Sequence, residues 1–259
     1  MAKKSIIISI NGKGGAGKSL TTTLMAKVLI EIYNKKLLLI DGDPTHPHLS
    51  YMMNLIPKNT IEDLRTEIIQ KSINKTLRID KIAQEIDYKV YNIIEETKRF
   101  GLLSIGQPNI EGCFCPLNTL LRSVIDSISQ DYDIILIDCE AGLEQINRKV
   151  IRNVDVILII SDMTIRSLET VKSIKLTAQK FTHSKYIGLI LNRVKKDYGL
   201  ILDYIKNLDI PLIGQIPEDE IISEYDLKGK PIIEIPTNSK SFIAMNSIIN
   251  NLLPLLTNI

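Results

Sequence analysis

Short, largely apolar runs recur along the chain, separated by longer stretches in which apolar residues return every three or four positions. The runs at 6–10, 37–40, 102–105, 134–137, 156–160, 186–191 and 210–216 are four to seven residues long and rich in Ile, Leu and Val. Runs of this length without polar alternation read as strands covered on both faces. Between the first two, Leu24, Val28, Leu29 and Ile32 fall at helical spacing. Alternation of this kind predicts an α/β fold: a doubly wound, mostly parallel sheet of about seven strands with helices on both faces. Residues 1–259 read as one such domain. Within it, 57–100 is charged and helix-prone, with Ile61, Leu64 and Ile68 on one face, and no Gly/Pro-rich linker bounds it. It reads as a helical insertion, and 239–259 as a C-terminal helix.

The first run stops at Gly12 and passes through Lys13, Gly14, Gly15, Ala16 and Gly17 to Lys18 and Ser19, where helix-forming sequence begins. Strand, glycine-rich turn and helix N-terminus, with this spacing of Gly12, Gly17, Lys18 and Ser19, satisfy the P-loop pattern. Backbone N–H groups wrap phosphate oxygens, Lys18 neutralises charge at the β- and γ-phosphates, and the Ser19 hydroxyl reaches Mg²⁺. A nucleotide is the expected ligand. Lys13 is a second lysine inside the loop, and the stretch from Lys13 to Ser19 resembles the deviant Walker A motif of the ATPase group that contains nitrogenase iron protein, MinD and ParA. That resemblance implies ATP hydrolysis to ADP, with Lys13 reaching across a dimer interface to the partner's nucleotide.

The second run ends in Asp41-Gly42-Asp43-Pro44 and the fourth in Asp138. In a parallel sheet these ends share the P-loop's edge, where ligands of open α/β sheets bind. An apolar run closing on an acid is the Walker B pattern, whose carboxylate binds Mg²⁺ directly or through water, although an Asp capping the next turn reads the same way. Ser19, Asp41, Asp43 and Asp138 are the candidate magnesium residues. Lys13, Lys18, Asp43 and Asp138 are the candidate catalytic set, with Asp43 orienting the attacking water. Asn192-Arg193 and Pro217-Glu218-Asp219 close two late runs at the same edge. The same family resemblance implies that Asn192 reads the adenine and that the loop after Ile216 holds it through backbone atoms. Taken alone, each is equally a turn signal.

Composition narrows the partners. A net charge of +2 gives no overall pull toward nucleic acid or an anionic membrane. The start, MAKKSIII, has the look of a secretory leader, but Gly12 and Lys13 cut its apolar run short. No run approaches the roughly 20 residues of a membrane span. A cytoplasmic protein is expected, with no nucleic-acid and no membrane partner. The C-terminal stretch places Phe242, Met245, Ile249, Leu252 and Leu256 on one face, has Lys240 as its one cation, and meets Pro254 late. That favours a docked core helix, broken at Pro254, over a membrane anchor.

Three cysteines, Cys113, Cys115 and Cys139, cannot all pair within one chain. Free thiols or metal ligands are expected in a reducing compartment. Cys139, between Asp138 and Glu140, reads as buried filler. Cys113 and Cys115 are small hydrophobes if taken singly and a thiolate pair if taken together. A tetrahedral soft-metal site wants four ligands, so two copies related by a two-fold axis would complete one from two such pairs. His46 and His48 are polar loop residues or auxiliary nickel ligands.

Gly112-Cys113-Phe114-Cys115, then Arg122, the stretch 137–148 and Arg166-Ser167-Leu168-Glu169-Thr170 together resemble the CooC-type maturation ATPases of nickel carbon monoxide dehydrogenase. The resemblance implies an ATP-driven homodimer with Ni²⁺ or Zn²⁺ held at the interface by Cys113 and Cys115, and delivery of nickel to the dehydrogenase. The chain departs from the group at Ser19-Leu20, where Thr-Thr is usual, so Leu20 offers the nucleotide only its backbone. Two other readings compete: a positioning ATPase like MinD or ParA, and an electron-transfer ATPase like nitrogenase iron protein, whose Fe–S cluster two cysteines per chain would also suit.

Overall fold

The sheet is built from strands that are apolar on both faces, and period-2 alternation divides each strand between two helical layers. The computed structural model describes residues 5–44, 47–73, 89, 91–107, 128, 130–141, 154–195 and 199–257. In chain order the first elements are β1 (Ile6–Gly12), α1 (Lys18–Glu31), β2 (Leu37–Gly42), α2 (His48–Met52), α3 (Ile61–Ile73), β3 (Glu95–Glu96) and β4 (Phe100–Ser104). There follow β5 (Ile134–Cys139), β6 (Val156–Ser161), α4 (Ile165–Phe181), β7 (Tyr186–Val194), α5 (Gly199–Lys206), β8 (Leu212–Pro217), α6 (Glu220–Leu227), a 3₁₀ turn (Ile232–Glu234) and α7 (Lys240–Thr257).

The strands lie in the order β3-β4-β2-β5-β1-β6-β7-β8, and all pair in parallel except β3 with β4. On one face Ile8, Ile10, Leu39, Leu136 and Leu158 pack with Leu24 and Val28 of α1 and with Met245 and Ile249 of α7. On the other, Ile7, Leu38, Ile40, Ile135 and Ile157 pack with Leu168, Val171 and Ile174 of α4. β1, β5 and β2 are neighbours, so the P-loop, Asp138 and Asp41 emerge side by side from one edge.

The strands differ from the expected runs mainly at their ends. β1 and β2 continue to Gly12 and Gly42 because their ladders do, with Gly12 opposite Ile160 and Gly42 opposite Cys139. β8 starts at Leu212 rather than at Ile210, after Pro211, which has no N–H to give a ladder. The eighth strand, β3, was not foreshadowed: two glutamates of the insertion pair antiparallel with Leu102 and Gly101 at the sheet edge.

α1 is buried along its whole middle, from Leu20 to Ile30. A helix enclosed on every side needs its polar groups satisfied internally. The hydroxyls of Thr21, Thr22 and Thr23 donate to the carbonyls of Gly17, Lys18 and Ser19 at 2.8, 3.0 and 2.9 Å. Lys27, also buried, donates to Glu31 Oε1 at 2.6 Å and to the Ile233 carbonyl at 2.7 Å. Ile32, expected on the apolar face, lies past the helix end and is 52% exposed.

α7 is docked as expected, with Phe242, Met245, Ile249, Leu252 and Leu256 all buried. Pro254 does not break it, and the helix runs on to Thr257. Pro254 sits in the last turn, so the one bond that its missing N–H forfeits, to the Asn250 carbonyl, lies at the end of the helix. Among the described residues no helix is long and apolar enough to cross a membrane.

Candidate functional site

The phosphate cradle is set by α1's first residues. Gly17 is the N-cap, in the left-handed region (φ 95°), and no side chain caps the helix. The first turn holds no acidic residue, so its unpaired N–H groups and the positive helix end are available to an anion. A Cβ on Gly17 would lie 2.0 Å from Asn192 Nδ2. That closeness has a purpose: the buried Asn192 amide donates to the Ala16 carbonyl at 2.9 Å and pins the P-loop to β7. Arg193, itself at φ 56°, reaches Gly15 O at 3.4 Å. Lys18 Nζ donates to Lys13 O at 3.4 Å, which folds the loop over its own lysine.

The acidic side of the site comes from β2 and β5. Asp41 and Asp138 are direct neighbours in the ladder and are 0% and 2% exposed. Both follow strand residues whose alternation turns them to the α1 face, and Thr22 Oγ1 lies 3.5 Å from Asp138 Oδ1. Burial pushes the Asp138 carboxyl up to about 7, against a hydrogen bond from the Ser19 hydroxyl, and the neighbouring Asp41 adds to the rise. Burial likewise pushes Asp41 up to about 6, against hydrogen bonds from Asp43 and Ser50. The donors here are hydroxyl and carboxylate oxygens, hard ligands that fit Mg²⁺. Ser19 and Asp138 are close enough to share a hydrogen bond, and the two would supply such an ion with oxygen ligands. Cys139 is buried beside them with its thiol pushed far up, as expected of an inert filler.

Next to the cradle is a cavity of about 420 Å³, a size suited to a small-molecule ligand. Leu20, Asn192, Arg193, Pro217 and Glu218 line it, so the structure gathers every residue that the sequence assigned to the base side. Asp219, which closes the same run as Pro217 and Glu218, lines it too, and the structure adds Ser223, Asp226 and Ser241, which sequence reasoning missed. Asp219 Oδ1 accepts from the Ile221 N–H at 3.0 Å and caps α6, while Oδ2 accepts from the Ser241 N–H at 2.8 Å at the start of α7. The first of these bonds has a signal, an Asp just before an apolar helical stretch. The second joins residues 22 apart and has none. Asp219→Ala is expected to lower stability by about 1–2 kcal/mol and to weaken nucleotide binding, since one cavity wall loses its anchor; chemical denaturation and nucleotide titration would show both.

A strand–P-loop–helix followed by buried strand-end aspartates is a nucleotide site by its geometry, and comparison with known proteins agrees. The family described as the CobQ/CobB/MinD/ParA nucleotide binding domain matches residues 7–232. The chain belongs to this family. A Methanocaldococcus jannaschii protein described as an uncharacterized ATP-binding protein is 37% identical over 94% of this chain and 96% of its own length. The carbon monoxide dehydrogenase accessory protein CooC of Rhodospirillum rubrum is 29% identical over 86% of this chain and 87% of its own. The crystal structure of the cell division ATPase MinD of Pyrococcus furiosus superposes with a TM-score of 0.72 at 26% identity, covering 97% of this chain and 99% of that one.

As a CobQ/CobB/MinD/ParA-type protein the chain is an ATP-binding, ATP-hydrolysing NTPase. CooC is a more distant relative within that membership. Cys113, Cys115, His46, Arg122 and the stretch 142–148 lie outside the described residues. His48 is exposed at the start of α2. Among the described residues no group of three or more His, Cys, Asp or Glu side chains is gathered closely enough to hold a metal ion.

Proposed function

We propose that this ATPase is a switch that closes as a homodimer around ATP and carries a soft metal ion, Ni²⁺ or Zn²⁺, between the Cys113 and Cys115 pairs of two copies, for delivery to a nickel carbon monoxide dehydrogenase. The observation that carries the reading is the pairing of two features in one chain: a second P-loop lysine, Lys13, and a Cys-x-Cys motif that offers half a tetrahedral site. Similarity to CooC along most of both chains supports the client.

In this reading the P-loop amides from Gly12 to Ser19 and Lys18 hold the phosphates, and Leu20, Asn192, Arg193, Pro217 and Glu218 hold the nucleoside. Ser19 and Asp138 would hold Mg²⁺, which would neutralise charge on the β- and γ-phosphates. Asp43 orients the attacking water. Lys13 of the partner subunit brings positive charge to the γ-phosphate, a contribution on the order of 10³-fold or more where an arginine finger supplies it. Loss of the γ-phosphate releases that lysine, separates the subunits and halves the thiolate site.

Anaerobic gel filtration with ATP and nickel tests this. Wild type is expected to elute as a dimer that retains about one nickel per two chains. Cys113→Ser/Cys115→Ser is expected to lose the metal while still binding ATP, and Lys13→Ala to bind ATP without turnover. A double serine variant that keeps nickel as well as wild type would refute the metal site. A MinD-like surface-binding role is the second reading, favoured by the full-length match to that ATPase. ATP-dependent sedimentation of the protein with anionic vesicles would select it, against the docked apolar face of α7.

A further inference from the structure

The loop between β2 and α2 carries Asp43, and its fixed point is the carboxylate two residues earlier. The Asp41 backbone is held in ladders on both sides, opposite Ser104 of β4 and Asp138 of β5. Its side chain is fully buried and both of its oxygens are engaged. Oδ1 accepts from the Asp43 N–H at 3.4 Å. Oδ2 accepts twice from Ser50, from the N–H at 3.3 Å and the hydroxyl at 3.2 Å. Ser50 belongs to α2 and is 1% exposed, so neither partner exchanges these bonds for water.

Asp138 is engaged differently. Its carboxylate meets the hydroxyls of Ser19 and Thr22, which belong to the P-loop helix, whereas Asp41 is engaged by Asp43 and by Ser50 of α2. The three aspartates Asp41, Asp43 and Asp138 do not converge as a joint cation site. A carboxylate has about four acceptor positions, and Asp41 has three donors on it.

We propose that Asp41 and Ser50 are positioning residues for hydrolysis: a clamp that ties Asp43 and α2 to the end of β2, with Asp41 acting through Asp43 and not as a magnesium ligand. The proposal rests on the reading of Asp43 as the residue that orients water. The clamp explains why a hydroxyl is buried in a short helix beside the site, where packing alone would take an apolar residue. It also fixes Asp43 without a ligand. A loop residue joined to the sheet through two anchors, one to its own N–H and one six or more residues on, keeps its carboxylate within the narrow tolerance that water activation demands.

The test is steady-state ATP turnover, with ATP and Mg²⁺ each varied, in Ser50→Ala, Asp41→Asn, Asp43→Asn and the Ser50→Ala/Asp43→Asn double variant. Thermal melting confirms that each is folded. Ser50→Ala removes one bond to Oδ2, and Asp41→Asn can replace that oxygen by an amide that accepts from neither Ser50 donor. Both are expected to lower kcat by roughly 10- to 100-fold, with KM for ATP and the Mg²⁺ requirement within about twofold of wild type. The double variant is expected to be no slower than Asp43→Asn alone, because both act through one residue. A rise in the Mg²⁺ requirement of Asp41→Asn would make it a ligand and overturn the clamp. So would a Ser50→Ala variant that turns over at the wild-type rate while Asp43→Asn is inactive, and that outcome leaves the reading of Asp43 intact. Full activity in Asp43→Asn would refute that reading and the clamp with it.

Discussion

Asp138→Asn is expected to cut turnover steeply and, at the same time, to make the nucleotide-free protein more stable. The carboxyl is buried, and its folded pKa of about 7 stands well above the ordinary carboxylate value of 3.8. A raised folded pKa means that the folded state binds the proton more tightly than the unfolded chain does. The stability this lends is fully present below about pH 4 and is lost as pH rises to about 7. Above that, the folded protein carries an ionised, desolvated carboxylate at a penalty on the order of 2–4 kcal/mol. Asparagine has the same shape, keeps an oxygen to accept from Ser19, and carries no charge to desolvate.

Calorimetry without nucleotide or magnesium, at pH 5.5 and 8, is the measurement. Wild type should melt lower at pH 8 relative to the variant, and the gap should narrow at pH 5.5. Phosphate release by the variant should fall by roughly 10²–10³-fold, the range for removing one preorganised group at a charged transition state. A variant no more stable than wild type at pH 8 would contradict the account of Asp138 as a strained, functional acid. The trade is the usual one at sites kept for chemistry.

Gly17→Ala should be at least as damaging, through geometry in place of charge. At φ 95° any side chain is strained, by about 1–2 kcal/mol. The new methyl would also sit 2.0 Å from the Asn192 amide, which has to leave the Ala16 carbonyl to make room. The displaced amide leaves a buried carbonyl unpaired, a further penalty of about 1–3 kcal/mol. Both costs fall on the P-loop, so ATP affinity is expected to drop by about 100-fold or more. Titration with a fluorescent nucleotide would read this directly. Gly15→Ala is the internal control: its Cβ would meet nothing within 4 Å, so at φ 78° it carries the backbone strain without the collision. Equal losses in the two variants would exclude Asn192 as the cause.

What the sequence disclosed and what it hid divide along a physical line. β1, β2 and β5 were legible because a strand buried on both faces has to be mostly apolar, and because their acidic or glycine-rich ends break that rule abruptly. The P-loop was legible because close backbone approach restricts residue type at fixed spacing. Asn192 was found from its place at a strand end, but not its bond to Ala16, since an amide donating to a carbonyl 176 residues away imposes no local pattern. Asp219 as the anchor of α7 was hidden for the same reason. β3 escaped because two glutamates have no period, and the sheet edge supplies the pairing that their propensity does not. Pro254 misled because its effect depends on where in the helix it falls.

The burial of α1 on all sides has a consequence for how the two halves of the site breathe. A segment opens locally at a free energy set by the contacts it must give up. α1 lies between the sheet and α7, with its hydroxyls and Lys27 bonded inward, so it opens only when the core does. The phosphate grip is thus attached to a helix whose amides are expected to exchange only when the core opens. Asp43 is anchored elsewhere, through the Asp41 carboxylate, which accepts from the Asp43 N–H and from Ser50 of α2. Holding the nucleotide and acting on it therefore rest on separate anchors, one in the core and one at the end of β2.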